Sequence, residues 1–185
     1  MARSEAAAVA AAERDYEAPD TLVVSGATQL RALGDEVRGR IVGLIREHAA
    51  SATELAEILG MPKGTVGHHL KVLEKAGLIH VVRTRQVRAV TEKYYGRVAR
   101  LFILKSDDEE LVHGAGATAL RVAAAELAAS PEIAMHGLLR VRLDPVSARR
   151  FNKRLDKLIE DVHAAHTPGG RPWGVVAAMY AGGDA

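Results

Sequence analysis

Ser51–Gly77 reads SATELAEILGMPKGTVGHHLKVLEKAG, and its apolar residues recur at helical spacing in two short runs. The first run carries Leu55, Ile58 and Leu59, and the second carries Val66, Leu70 and Leu73. Gly60 predicts the end of the first helix, and Pro62 suits the first turn of the second. Two short helices joined by a compact glycine-containing turn, the second with a polar and basic outer face, predict a helix-turn-helix. The second helix of such a motif is the usual reader of a DNA major groove.

Ser51 and Glu54 form an S-x-x-E capping box, in which the hydroxyl satisfies an orphan N–H while the carboxylate reaches back. Upstream, Gln29–Gly34 reads as a short helix with Leu30 and Leu33. Asp35 then caps a helix over Glu36–His48, whose apolar stripe is Ile41, Leu44 and Ile45. The second helix of the motif spans about Lys63–Lys75. Its outer face presents Lys63, Thr65, His68 and Lys71, with Gly64 and Gly67 between them. Each glycine costs roughly 1 kcal/mol relative to alanine inside a helix. Close approach to a phosphate chain would compensate for that cost, and simple tolerance explains the pair equally well.

Downstream, Gly77 is read as the helix C-cap. The β-branched runs Leu78–Val82 and Val87–Val90 flank Arg83-Thr84-Arg85-Gln86, which reads as a hairpin with a basic loop. After a helix-turn-helix such a hairpin is a wing. Its loop would set Arg83, Arg85, Gln86 and Arg88 beside the DNA backbone or in the minor groove, where negative potential favours arginine.

Three stretches now carry a family resemblance: LRALGDEVRGRIVGLI from Leu30, ATELAEILGMPKGTVGHHLKVLEKAGLI from Ala52, and TEKYYG from Thr91. The segment Leu33–Tyr95 resembles the winged helix-turn-helix of ArsR-type (arsenic-repressor-like) bacterial transcriptional regulators. The most specific part is Thr65-Val66, then His69-Leu70, Leu73 and Gly77-Leu78. The likeness extends over roughly residues 28–100, under half of the chain. It implies a homodimer bound to a pseudo-palindromic operator. It also makes His69 the counterpart of the family's recognition-helix histidine, either touching DNA or packing the helix. His68, one residue earlier, sits at the variable position and is the better candidate for reading sequence. Gly67 replaces the family's usual serine and Glu36 its frequent proline.

Charge supports a nucleic-acid partner for one segment only. The net charge of the chain is +2, with balances of −3 over residues 1–26, +7 over 27–105 and −2 over 106–185. A basic segment joined to acidic neighbours is the expected footprint of a nucleic-acid-binding domain, although a merely solvated basic face has the same sign.

Outside the motif, residues 1–26 are expected to form a partly disordered N-terminal arm. Thr21–Ser25 within it is β-branched enough to add a short strand. The winged helix domain is placed at 27–105, closed by the apolar run Val98–Leu104. Ser106-Asp107-Asp108 caps a long helix to about Ala129 that carries Leu111, Val112, Leu120, Val122 and Leu127. Residues 106–130 are read as a dimerisation helix, with burial inside the chain as the other reading. An accessory α+β domain is placed at 131–185. It is built from a strand over Ala134–Leu143, a helix started by Asp144 and Pro145, and a strand over Trp173–Tyr180. The inner face of that helix would be Val146, Phe151, Leu155, Leu158, Ile159 and Val162. Phe151, Trp173 and Met179 are candidate walls of a small-molecule effector pocket. The predicted fold class is therefore mainly α with a β-wing, followed by a dimerisation helix and a small β-α-β domain.

Several chemistries are excluded. The chain has no cysteine, so disulfides, thiolate metal sites and thiol nucleophiles are impossible. His113 stands alone beside Asp107 and Asp108, a spacing that does not build the family's carboxylate–histidine metal site. Glu160, His163 and His166 suit a solvated helix end as well as a metal. No phosphate-binding glycine loop and no G-x-S-x-G elbow is present, so neither a cofactor nor an enzyme is expected. Apolar runs fall short of the ~20 residues of a membrane span, and no signal peptide is expected. The sequence thus predicts a cytoplasmic, homodimeric regulator, acting as a repressor on double-stranded DNA, with no membrane partner. A winged helix used only for protein interaction or ligand binding is the alternative.

Overall fold

The computed structural model describes residues 15–87, 89–132, 139–165, 167, 171 and 173–181. Contacts divide the chain between residues 124 and 125. The first unit begins with β1 (Thr21–Val24), α1 (Ala27–Leu33) and α2 (Glu36–Leu44), followed by β2 (Ala50–Ser51) and α3 (Ala52–Leu59). It continues with α4 (Lys63–Lys75), β3 (Ile79–Val87), β4 (Val90–Arg97), β5 (Leu101–Leu104) and the first part of α5 (Glu109–Ala129). The strands form an antiparallel sheet in the order β2-β4-β3 and a parallel pair, β1 with β5. A helical tri-layer closed by such a hairpin is a winged helix-turn-helix.

Local chemistry sets most of the helix ends. The Asp35 carboxylate accepts the Arg38 N–H at 2.9 Å and starts α2. Ser51 and Glu54 form the reciprocal capping box of α3, with the Ser51 N–H donating to Glu54 at 2.8 Å. The helices α3 and α4 end alike, at Gly60 and Gly77, with φ of +64° and +68°. At these turns the next residue bonds back across the last turn, Met61 to Ala56 and Leu78 to Leu73. These are Schellman closures, which need a left-handed residue and therefore favour glycine. The helix α2 stops at Leu44 rather than His48, because the chain turns there to deliver Ala50–Ser51 to β4.

The core gathers one face from each of these elements. Leu30, Ile41, Ile45, Leu55, Val66, Leu70, Leu73 and Leu78 are all buried, together with Val24 of β1. Ile58 is not among them. It is 59 % exposed, so α3 turns Leu55, Ala56 and Leu59 inward and leaves Ile58 outside the predicted stripe. On α5, Leu111 and Val112 pack on the core and Ala115 is buried in it. Thr118 is also buried and donates to the Gly34 carbonyl at 3.1 Å. Half of the predicted dimerisation helix is thus seated within its own chain, while Leu120 and Leu127 are exposed.

The end of the N-terminal arm is part of this unit. β1 pairs in register with β5, Thr21 with Leu101 through Val24 with Leu104. Ahead of it Tyr16 is buried, donating its hydroxyl to the Ile45 carbonyl and accepting the Arg97 N–H at 2.9 Å. Its ring occupies the space that a Cβ on Gly96 would enter, within 2.7–2.9 Å of ring carbons. Gly96→Ala is therefore expected to expel the ring and lower stability by about 1–3 kcal/mol, measured by urea unfolding.

In the second unit, α6 (Pro145–Ala164) forms as predicted, with the Asp144 carboxylate accepting the Val146 and Ser147 N–H groups at 2.9 Å. The predicted β-α-β arrangement does not form. Leu139–Leu143 and Trp173–Ala181 are not strands, and residues 134–138 lie outside the described residues. The β-propensity of such runs has no effect without neighbouring strands to complete a ladder. The predicted inner face of α6 is also not buried, since α6 has no buried residue.

Candidate nucleic-acid interface

The helix α4 divides cleanly by face. Val66, Leu70 and Leu73 are fully buried, while Lys63, Gly64, Thr65, His68 and Lys71 are exposed. A Cβ on Gly64 or Gly67 would meet nothing within 4 Å, so both glycines border open space. His69 differs from its neighbour. Its side chain is 14 % exposed and its Nδ1 lies 3.7 Å from the Asp35 carboxylate that caps α2. This geometry favours the packing role for His69 and leaves His68, edge-on to it at 5.9 Å, as the outward histidine.

The wing differs from its predicted form. Arg83–Gln86 is not a loop but part of β3, whose register runs Arg83 to Tyr94, Arg85 to Glu92 and Val87 to Val90. The hairpin closes further on, between the paired Val87 and Val90, with Ala89 in the turn, and Arg88 lies outside the described residues. Polar residues on both faces of an exposed hairpin read as loop in sequence although they are paired as strand. A register shift between Val81 and Arg83 bulges the strand at its base.

That register settles the surroundings of the wing cations. Arg83 forms an ion pair with Asp15 and lies over the Tyr94 ring, 4.6 Å from its centre. Burial pushes the Asp15 carboxyl up, but the Ala49 N–H and the Arg83 guanidinium outweigh it and hold the group below its ordinary value. Arg83 is thereby tied to the arm. Arg85 is exposed further out along the strand, and Gln86 accepts the Thr91 hydroxyl at 2.9 Å. Sequence reasoning missed Lys93, which is exposed on β4 opposite Thr84. Only the true position of the turn reveals it as a wing cation.

A cleft separates the wing from the helix-turn-helix, lined by Thr53 and Lys63 on one side and by Val87, Glu92 and Lys93 on the other. The Thr53 hydroxyl donates to Glu92 at 2.8 Å and bridges it. That bond, helped by nearby Lys63, holds the Glu92 carboxyl below its ordinary value of 4.5. The folded state therefore binds this proton less readily than the unfolded state does. The contribution is complete above about pH 4.5 and is lost as pH falls through the lowered value. Hydrogen exchange of the β4 amides is expected to accelerate in that acid range, and Glu92→Ala is expected to remove this pH dependence.

Of the three effector candidates, one lines a cleft in the second unit. Phe151 lies beside an open cleft along α6, with Arg150 and Arg154 over its ring at 5.2 and 5.7 Å, whereas Trp173 and Met179 do not line that cleft. Among the described residues no group of three or more histidines and carboxylates stands together, and His166 lies outside them. Among the same residues no helix is long and apolar enough to cross a membrane.

Residues 33–82 match the helix-turn-helix domain family. No curated protein matches the chain. Among solved structures, similarity is found to a fragment of a possible transcriptional regulatory protein from Mycobacterium bovis, at 21 % identity over 54 % of this chain and 89 % of that one, with a TM-score of 0.35. HlyU from Vibrio cholerae is 19 % identical over 55 % of this chain and 87 % of its own, with a TM-score of 0.33. A homodimeric winged helix-turn-helix DNA-binding domain from M. bovis, described as a possible ArsR-family regulator, is 20 % identical over 60 % of this chain and 86 % of its own, with a TM-score of 0.34.

Proposed function

We propose that this chain is a DNA-binding transcriptional regulator that sets α4 in a major groove and lays the β3–β4 wing along the adjacent backbone. The observation that carries the reading is the division of α4. One face is sealed into the core through Val66, Leu70 and Leu73, and the other presents Lys63, Thr65, His68 and Lys71 to solvent beside a cationic hairpin. A winged helix used only for protein contacts has no need of that outer face.

In this reading Lys63, Lys71, Arg85, Arg88 and Lys93 contact phosphates and set affinity, while Thr65 and His68 meet base edges. Gly64 and Gly67 let the backbone approach the sugar-phosphate chain. Arg83 and Gln86 hold the wing in shape, and His69 holds α4 against α2. The chain works as a cytoplasmic homodimer, joined through the outward face of α5, where Gly116 and exposed Leu120, one turn apart, leave room for a second helix. Two copies of α4 would then enter successive major grooves about 34 Å apart. Repression is the direction in which such a dimer acts by occupying a promoter. Of Phe151, Trp173 and Met179 only Phe151 lines the cleft along α6, so this reading does not depend on a small-molecule effector.

The test is an anisotropy titration of labelled duplex at low and at physiological salt. Saturable binding that weakens linearly with the logarithm of salt supports the reading. No affinity for any duplex at low salt would overturn it in favour of an interaction module.

A further inference from the structure

The geometry points to α6 as a self-association element whose occupant is the α6 of a second copy of this chain, bound antiparallel. The inference stands independently of DNA binding. The helix is closed by its own Asp144 cap and Pro145, and carries no buried residue. Its apolar residues nevertheless keep an unbroken alternation of three and four. Ala148, Phe151, Leu155, Leu158 and Val162 form one stripe, continued by Ala165 at the helix end and flanked by Ile159. That is the spacing of a coiled-coil seam rather than of a helix lying on a sheet. Leu158 and Val162 are 50 % and 42 % exposed.

The charges name the occupant and its direction. Arg149, Arg150, Lys153 and Arg154 occupy the first half of α6, and Asp156, Glu160 and Asp161 lie in the second. Two such helices are complementary only head to tail. Beside the seam, Arg154 and Asp161 hold equivalent positions, each one residue before a stripe residue, Leu155 or Val162. In an antiparallel pair residues at this position face each other, so Arg154 meets the partner's Asp161, twice by symmetry. In a parallel pair Arg154 would instead face the partner's Ile159. The antiparallel seam layers Phe151 on the partner's Val162 and Leu155 on the partner's Leu158. In the single chain Asp161 pairs with Lys157 at 2.9 Å, with both side chains mostly exposed, and such a pair is weak enough to share its carboxylate. An anionic lipid surface would favour basic residues along the whole polar face, which Glu160 and Asp161 contradict.

The full chain has no cysteine, so paired cysteines report the geometry directly. Phe151→Cys and Val162→Cys in one chain stand eleven residues apart, about 16 Å along the helix, and are too far apart to bridge within it. Under mild oxidation the double variant is expected to form a covalent dimer, and each single variant is expected to stay uncrosslinked. Circular dichroism of the reduced proteins confirms that the helix is kept. On the paired-cysteine background, Arg154→Glu is expected to reduce crosslinking several-fold, and adding Asp161→Arg is expected to restore it. Crosslinking of the single variants as efficient as that of the double would overturn the proposal. So would failure of the double to crosslink, as expected if residues 173–180 or anionic vesicles cover the stripe. Indifference to the charge swap would overturn the antiparallel arrangement.

Discussion

Replacing Lys63, Lys71 and Arg85 together by alanine is expected to weaken duplex binding about equally on all sequences. Each is exposed, Lys63 and Lys71 on α4 and Arg85 on β3, so the folded state loses no buried contact. Each phosphate contact removed is expected to cost roughly tenfold in affinity. It should also flatten the plot of log affinity against log salt by about 0.9 per contact. The slope separates this mechanism from misfolding, since a partly unfolded protein binds less at every salt concentration with an unchanged slope. Arg83→Ala is expected to behave differently. Its guanidinium is held by Asp15 and Tyr94, so the change acts on the position of the wing more than on charge at the DNA.

Leu70→Ala is expected to have the largest effect on folding. Leu70 is 1 % exposed and packs with residues from α1, α2, α3 and β3 in one cluster. Truncation removes buried methyl groups and leaves a cavity, with an expected loss of about 2–5 kcal/mol. That is a large part of the stability of a small domain. Urea unfolding measures it, and DNA binding should fall with the folded fraction. Ile58→Ala is the control. It has a similar side chain on the neighbouring helix and is 59 % exposed, so its loss should stay within about 0.5 kcal/mol. The sequence period alone places both residues inside.

What was legible in the chain is what local chemistry decides. Asp35, Ser51 with Glu54, Gly60, Gly77 and Asp144 each act on backbone groups within a few residues, and each forms the cap its residue type predicts. The bounds of α4 and its buried stripe follow from the same short-range rules. The failures are all non-local. In α3 Leu55, Ile58 and Leu59 all fit one helix face, and only the packing decides that Ile58, at its edge, is left out. The run Arg83–Gln86 is polar enough to be a loop, and its strand state depends on β4 being present across the ladder. Tyr16 gives no signal, because the space it fills is made by Gly96, eighty residues away. Arg83 likewise finds Asp15 across 68 positions. Trp173–Tyr180 has the composition of a strand and, among the described residues, no strand beside it.

For the candidate interface the outcome is mixed in the same way. The outer face of α4 is legible because the helical period fixes it. The choice among the wing cations is not, since it turns on the hairpin register and on the arm. The position of the turn transfers weight from Arg83 to Arg85 and adds Lys93.

The claim that α4 reads DNA sequence is tested most directly by enriching duplexes of random sequence on the full-length protein and sequencing the bound pool. The account predicts convergence on two related half-sites in two-fold arrangement, centred about one helical turn apart, with base preference at the half-site centres lost in a Thr65→Ala, His68→Ala variant. A bound pool as random as the starting one would contradict it.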